Sequence, residues 1–174
     1  MRKIHITGNA GAGKTTLAKE IGDALSLPVF GLDKVVWQPG WKMCPRDVRI
    51  EKELELSSKP EWVIDGVSER VREAADIIVF LDVTRSTALF QCTKRNWRYL
   101  FRSRPDLPEN CPEILIIPLL LKIIWQFQDH VRPGILKSIL RRPSSSYVIQ
   151  QPSDLLPLFK DLGISKLHNH LDHL

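Results

Sequence analysis

A glycine-rich turn near the N-terminus constrains this chain more than any other feature. A strand-like run at residues 3–7 leads directly into Gly-Asn-Ala-Gly-Ala-Gly-Lys-Thr at residues 8–15, and a helix-like run follows at 16–25. Glycines allow the backbone of such a turn to curl with its N–H groups facing inward. The helix N-terminus adds partial positive charge. The spacing matches G-x-x-x-x-G-K-[ST] in the strand–turn–helix context that this motif requires, which predicts a phosphate-binding loop.

The motif assigns a role to each of its polar groups. Lys14 is expected to reach the β- and γ-phosphates of a nucleoside triphosphate, and the Thr15 hydroxyl is expected to hold Mg²⁺. ATP and Mg²⁺ are therefore the predicted cofactors. A glycine-rich turn that binds nothing is the alternative, but all fixed positions and both flanks match. The predicted nucleotide-binding residues are Gly8, Asn9, Ala10, Gly11, Ala12, Gly13, Lys14, Thr15 and Thr16.

Strand-like and helix-like runs alternate along the rest of the chain. Further strands are predicted at 28–32, 61–64, 76–81 and 146–150, and further helices at 46–58, 84–100, 113–129, 134–140 and 154–161. The run at 76–81 is apolar throughout, as in a central parallel strand covered on both faces. This alternation predicts an α/β fold with a five-stranded parallel sheet flanked by helices. At 174 residues the chain suits a single domain spanning 1–174.

Three aspartates follow predicted strand ends. Ligands bind at the carboxyl ends of parallel strands, so Asp33, Asp65 and Asp82 should share one edge of the sheet with Gly8. Asp65 and Asp82 both qualify as a magnesium ligand. Asp65 is preferred because the following Gly66 permits close backbone approach, whereas Asp82 could instead cap a loop.

Asp33 precedes an aromatic segment that contains Trp37 and Trp41. The carboxylate could bind a hydroxyl or base edge of a phosphoryl acceptor, or act as general base if the acceptor is an alcohol. The indoles could stack on a ring, or they could pack as a surface flap without a ligand.

Arginines gather in the second half of the chain. Arg95 and Arg98 lie at the end of one predicted helix, and Arg102 and Arg104 lie in the Pro-rich loop that follows. Planar guanidinium groups suit phosphate oxygens and transition-state charge, so this loop could close over nucleotide. A solvated basic face is the alternative.

Composition limits the remaining classes of function. The net charge of +5 suits polyanionic ligands such as nucleotides, but it is weak support for binding nucleic acid. Three cysteines without paired spacing are typical of free thiols in a reducing cytoplasm, where we expect the protein to act. The apolar run at 114–127 is too short to span a bilayer, so no membrane association is expected.

The chain resembles the adenylate-kinase-related P-loop kinases, and within them the small bacterial proteins labelled topology-modulation proteins. The matching pieces are GNAGAGKTTLA at 8–18, Leu-Asp at 32–33 with PGW at 39–41, WVIDG at 62–66, ADIIVFLD at 75–82, the end of the helix at 95–98, RSRPD at 102–106, CPE at 111–113 and HVRPGIL at 130–136. This resemblance implies an acceptor-binding segment at about 33–60 and a short arginine-bearing lid at about 98–112. It places Asp65 near magnesium and Arg95 in the lid role.

The chain departs from that branch after Gly66. Val67 and Ser68 stand where the branch has Asn-Tyr, and Arg70 is not at the offset that nucleoside monophosphate kinases show.

These features predict an ATP-dependent kinase that acts on a small molecule, either a nucleoside or nucleotide or a hydroxyl-bearing metabolite. The predicted catalytic residues are Lys14, Asp33, Asp65 and Arg95. Arg98 is predicted to bind the nucleotide, and Thr15 and Asp65 are predicted to bind the metal. A regulatory ATP-binding protein associated with nucleic acid is the alternative, although no DNA-binding motif is present. A binding protein with a decayed active site is disfavoured because Lys14 and Thr15 are both retained.

Overall fold

The sheet explains how distant segments of the chain come together. The computed structural model describes residues 2–38, 42–97 and 113–164. The strands in chain order are β1 (Lys3–Gly8), β2 (Val29–Gly31), β3 (Trp37–Gln38), β4 (Lys42–Met43), β5 (Trp62–Asp65), β6 (Ile77–Leu81) and β7 (Ser146–Ile149). Five of them form one parallel sheet in the order β2-β5-β1-β6-β7. The predicted five-stranded parallel sheet is confirmed.

Helices cover both faces of this sheet. They are α1 (Lys14–Leu25), α2 (Asp33–Val36), α3 (Arg46–Ser58), α4 (Glu69–Ala74), α5 (Arg85–Trp97), α6 (Glu113–Gln126), α7 (Arg132–Arg141) and α8 (Leu155–Leu162). Ile4 and Ile6 of β1 are fully buried in a cluster with residues of α1 and α8. On the other face, Ile64 and Ile78 pack with Val71 of α4. Burial of both faces accounts for the continuous apolar runs in β5 and β6.

Register places the strand ends along one edge. Gly8 lies opposite Leu81, the last residue of β6, and Ile6 lies opposite Asp65, the last residue of β5. Gly31 at the end of β2 is also paired with Asp65. The residues that follow these ends therefore share the carboxyl edge of the sheet, as expected.

Several local elements differ from the sequence prediction. The short helices α2 and α4 and the antiparallel pair β3–β4 were not predicted. Ser68 caps the N-terminus of α4, and its hydroxyl accepts a hydrogen bond from Val71 N at 3.3 Å. The helix expected at 113–129 instead changes to a π-helical turn at Phe127–Val131, which leads directly into α7. Short helices and turns of this kind depend on tertiary packing more than on periodicity.

Two further observations bear on composition. Within the described ranges, no helix is both long enough and apolar enough to cross a membrane. Cys44 and Cys92 are buried and are not joined in a disulfide.

Candidate active site

The glycine-rich turn forms a tight loop between β1 and α1. Gly8 and Gly11 have φ angles of 154° and 78°, which side-chain-bearing residues rarely adopt. A Cβ atom on Gly8 would lie 2.7 Å from the carbonyl oxygen of Leu81, and one on Gly11 would lie 2.6 Å from that of Ala88. The loop is thus held between β6 and α5, and glycine is required for both its conformation and its packing.

Lys14 and Thr15 open helix α1, where their side chains meet the loop and the sheet edge. The Lys14 ammonium donates a hydrogen bond to the carbonyl oxygen of Asn9 at 2.8 Å. The Thr15 hydroxyl donates to Asp65 Oδ2 at 2.7 Å. Residues fifty positions apart in sequence, at the start of α1 and the end of β5, are therefore in direct contact.

Asp65 is the buried carboxylate of this site. It is only 6% exposed, and its Oδ1 atom is buried without a hydrogen-bond partner. Burial raises the pKa of Asp65 above its ordinary value, and the nearby charge of Asp33 adds to this effect, while the Thr15 hydrogen bond and the Lys14 charge oppose it. A buried carboxylate oxygen without a partner, beside a threonine hydroxyl, suits a hard cation. Thr15 and Asp65 supply the oxygen donors that Mg²⁺ prefers.

Asp82, the second candidate magnesium ligand, is engaged elsewhere. Arg132 at the start of α7 donates two hydrogen bonds to it, Nε to Oδ1 and an Nη atom to Oδ2, both at 2.8 Å. Gln150 donates a third, at 3.3 Å. The Arg132 hydrogen bonds hold the pKa of Asp82 below its ordinary value, although partial burial opposes them. This carboxylate ties the end of β6 to α7.

The predicted acceptor residues are only partly within the described chain. Asp33 is exposed at the first position of α2, and it lies close enough to Asp65 to affect the pKa of that residue. Trp37 lies on β3, whereas Trp41 falls outside the described residues. Arg70 is partly exposed and lies 3.7 Å from Glu53 of α3.

The predicted arginine lid lies mostly beyond the described ranges. Arg95 falls in the last turn of α5, two residues before the helix ends at Trp97. Arg98, Arg102 and Arg104 fall outside the described residues.

Sequence reasoning missed His5, which lies at the centre of β1. Its side chain is fully buried, and its Nε2 lies 3.1 Å from the carbonyl oxygen of Gly66. Burial and the charge of Arg72 lower the pKa of His5 to about 3, so the ring is neutral. A neutral ring can donate one hydrogen bond through Nε2, which holds the turn directly after Asp65. His5 pairs with Ile64 and Ile78, and Val71 of α4 packs with these two residues.

Asn9 was assigned to the phosphate loop, but its side-chain contacts could not be read from the motif. Asn9 is 1% exposed. The carboxamide oxygen accepts from Ala10 N at 2.8 Å, and its nitrogen donates to the carbonyl oxygen of Ile124 in α6 at 3.1 Å. The loop is thereby connected to a helix more than one hundred residues further along the chain.

Solved structures of similar fold include shikimate kinases and a deoxyadenosine kinase. Shikimate kinase from Acinetobacter baumannii, in complex with shikimate, is 16% identical over 96% of this chain and 96% of that one, with a TM-score of 0.55. Shikimate kinase from Bacteroides thetaiotaomicron is 17% identical over 92% of this chain and 97% of that one, with a TM-score of 0.51. Deoxyadenosine kinase from M. mycoides, with bound dATP, is 17% identical over 94% of this chain and 100% of that one, also with a TM-score of 0.51.

The comparisons define the fold. No protein-family model matches the chain, and no curated protein sequence matches it. The chain has the P-loop kinase fold, as its parallel sheet, glycine-rich loop and structural neighbours together show.

Proposed function

We propose that this protein is an ATP-dependent phosphotransferase that acts on a small molecule. The observation that carries the proposal is the contact between Thr15 and Asp65, because it brings a buried carboxylate to the first turn of the helix that follows the phosphate loop. Phosphoryl transfer needs positioned phosphates, a metal and compensating positive charge in one place. Lys14, Thr15 and Asp65 provide groups for each of these needs.

Magnesium is proposed to bind between Thr15 and Asp65. The unpartnered Oδ1 of Asp65 supports this assignment, as does the engagement of Asp82 by Arg132. When bound, Mg²⁺ would neutralise charge on the phosphate oxygens. Lys14 would release the Asn9 carbonyl oxygen or share its ammonium protons between that oxygen and the phosphates.

The acceptor is proposed to bind next to Asp33. This carboxylate is exposed at the first position of α2, directly after β2, and it lies near enough to Asp65 for its charge to contribute to the raised pKa of that residue. It would orient or deprotonate an acceptor hydroxyl, with Trp37 and Trp41 as candidates for stacking. A nucleoside or nucleotide and a hydroxyl-bearing metabolite are the two acceptor classes that suit these groups.

Arginines are proposed to complete the site from the end of α5 and from the segment between α5 and α6. Arg95 would act near the transferred phosphoryl group, Arg98 would contact nucleotide, and Arg102 and Arg104 would support them. Helix α5 supports this role for Arg95 because its backbone packs on the phosphate loop at Gly11. We further propose kinship with the topology-modulation-protein branch of the adenylate-kinase-related enzymes, and action in the cytoplasm.

Purified protein incubated with Mg-ATP and a panel of acceptors tests the proposal. The panel should include nucleosides, nucleoside monophosphates, sugars and hydroxy acids, with shikimate and deoxyadenosine among them, and ADP formation that depends on the acceptor should be measured. Lys14→Ala should abolish turnover and weaken triphosphate binding, because Lys14 compensates phosphate charge in the loop. Lys19→Ala, on the exposed surface of the same helix, is the matched control and should behave as the wild type. Equal ATP affinity and equal turnover in Lys14→Ala and wild-type protein would refute the assignment of the loop.

A further inference from the structure

The phosphate loop is packed against two helices that sequence alone did not connect to it. Ala10 packs against an apolar cluster formed by Ala88 and Cys92 of α5 and by Ile124 of α6. At Gly11, a Cβ atom would lie 2.6 Å from the Ala88 carbonyl oxygen and 3.2 Å from Cys92 N, so the loop backbone touches the α5 backbone. The tip of the loop therefore packs on an apolar surface formed by α5 and α6.

Asn9 connects the loop to α6 through a hydrogen bond at this apolar surface. Its buried carboxamide bonds in two directions, accepting from the adjacent Ala10 N–H and donating to the Ile124 carbonyl oxygen. A carboxamide can satisfy both bonds at once because it carries an acceptor and a donor on one planar group. In the same residue, the backbone carbonyl oxygen accepts from Lys14.

We propose that Asn9 is a positioning residue that holds the phosphate loop against α6, so that the affinity of the loop for triphosphate depends on how α5 and α6 pack. The proposal rests on the proposed role of the loop in binding triphosphate. Asn9 acts through Ala10 and Lys14, which it orients, and not by contact with the reacting phosphoryl group.

Amide hydrogen exchange in the nucleotide-free protein tests the positioning role directly. Asn9→Ala should speed exchange of the loop N–H groups at residues 10–13 by about fivefold, the effect of losing one ordinary hydrogen bond. Asn9→Ser, which loses less volume but cannot span to Ile124, should act in the same direction. Gln128→Ala is the matched control, because Gln128 also donates from a side-chain amide to a backbone carbonyl oxygen, that of Val83 at 3.4 Å, and Val83 lies outside the loop. It should leave loop exchange unchanged.

Calorimetric titration with Mg-ATP supplies the second measurement. Asn9→Ala should weaken affinity by about fivefold and raise KM for ATP with little change in kcat, since an interaction present in both ground and transition states affects binding alone. Loop exchange that is equal in Asn9→Ala and wild-type protein, or that Gln128→Ala raises equally, would overturn the proposal. If wild-type protein binds no Mg-ATP, the proposed function fails, while the exchange comparison still decides whether Asn9 positions the loop.

Discussion

Replacing Asp82 or Asp65 by asparagine should have opposite effects on the stability of the fold and on Mg-ATP turnover. Asp82→Asn should lower the stability of the fold and leave most Mg-ATP turnover intact, because Asp82 is bound by Arg132 and Gln150. Asp65→Asn should remove most turnover without loss of stability, because its charge is proposed to serve the metal.

The expected loss for Asp82→Asn follows from the geometry of the pair. Arg132 makes two hydrogen bonds of 2.8 Å to the carboxylate, and the asparagine would keep one oxygen acceptor but turn a nitrogen donor toward the guanidinium. Hydrogen bonds to charged groups contribute about 1.5–3 kcal/mol. The Asp82 side chain is 6% exposed, but that of Arg132 is 34% exposed, so solvent weakens the attraction. We therefore expect a loss of about 2 kcal/mol, which lowers the unfolding temperature of a chain of this size by about 4–8 °C.

Asp65→Asn, in contrast, is not expected to lower the stability of the fold. Burial raises the pKa of Asp65, which means that its ionised form costs folding free energy at neutral pH. Asparagine removes that charge and can still accept the Thr15 hydrogen bond. The unfolding temperature of the nucleotide-free protein should therefore be unchanged or higher.

The effect of pH distinguishes the two carboxylates further. The pKa of Asp82 is lowered in the folded state, so its stabilising contribution is present above the unfolded value of about 3.9 and disappears as pH falls through the folded pKa. The difference in unfolding temperature between wild type and Asp82→Asn should be full at pH 7, shrink below about pH 4 and vanish in stronger acid.

Thermal unfolding monitored by circular dichroism from pH 7 to acid, with turnover measured against Mg²⁺ concentration, checks these statements. The reasoning is refuted if Asp82→Asn unfolds at the wild-type temperature, or if it shows the larger loss of turnover and the stronger rescue by magnesium. The second result would move the metal from β5 to β6.

Two further predictions concern α5 and the loop packed on it. Gly11→Ala should destabilise the protein by at least about 2 kcal/mol, because the left-handed backbone and the contact with Ala88 both oppose a Cβ. A Cβ atom added at Gly134 in α7 would have no other atom within 4 Å, so Gly134→Ala should be neutral or stabilise the protein by about 0.5–1 kcal/mol. Chemical denaturation that gives the two variants equal stability would contradict the packing of the loop on α5. Arg95→Ala should lower kcat by about a thousandfold while ATP affinity stays within about threefold, as expected for an arginine that acts in the transition state. Arg85→Ala, at the start of the same helix α5, removes an ion pair with Asp129 and is the control. Normal turnover in Arg95→Ala would show that Arg95 has no role in phosphoryl transfer.

Most of the framework could be predicted because it depends on local signals. All five strands of the main sheet were predicted within one or two residues of their observed bounds, and α3 was predicted at its observed bounds of Arg46–Ser58. Apolar runs and charged amphipathic periods are visible in a short window of sequence. The short elements α2, α4 and β3–β4 were missed because they are too brief to show a period.

Sequence by itself determined the parallel sheet, the glycine-rich loop between β1 and α1 and the group of aspartates at the carboxyl edge. Chain direction decides which residues follow each strand, and parallel pairing then brings those residues together. Sequence could not decide between Asp65 and Asp82 on firm grounds, since both follow apolar strands and precede loops.

Only the tertiary structure decided what each polar side chain contacts. It places Thr15 on Asp65, Arg132 on Asp82, Asn9 on Ile124 and His5 beneath the Gly66 turn. These partners are about fifty to more than one hundred residues apart, and each contact depends on which helix covers which face of the sheet. A hydrogen bond requires a match of position and direction at about 3 Å, and the order of residues along a chain does not contain that information at such separations.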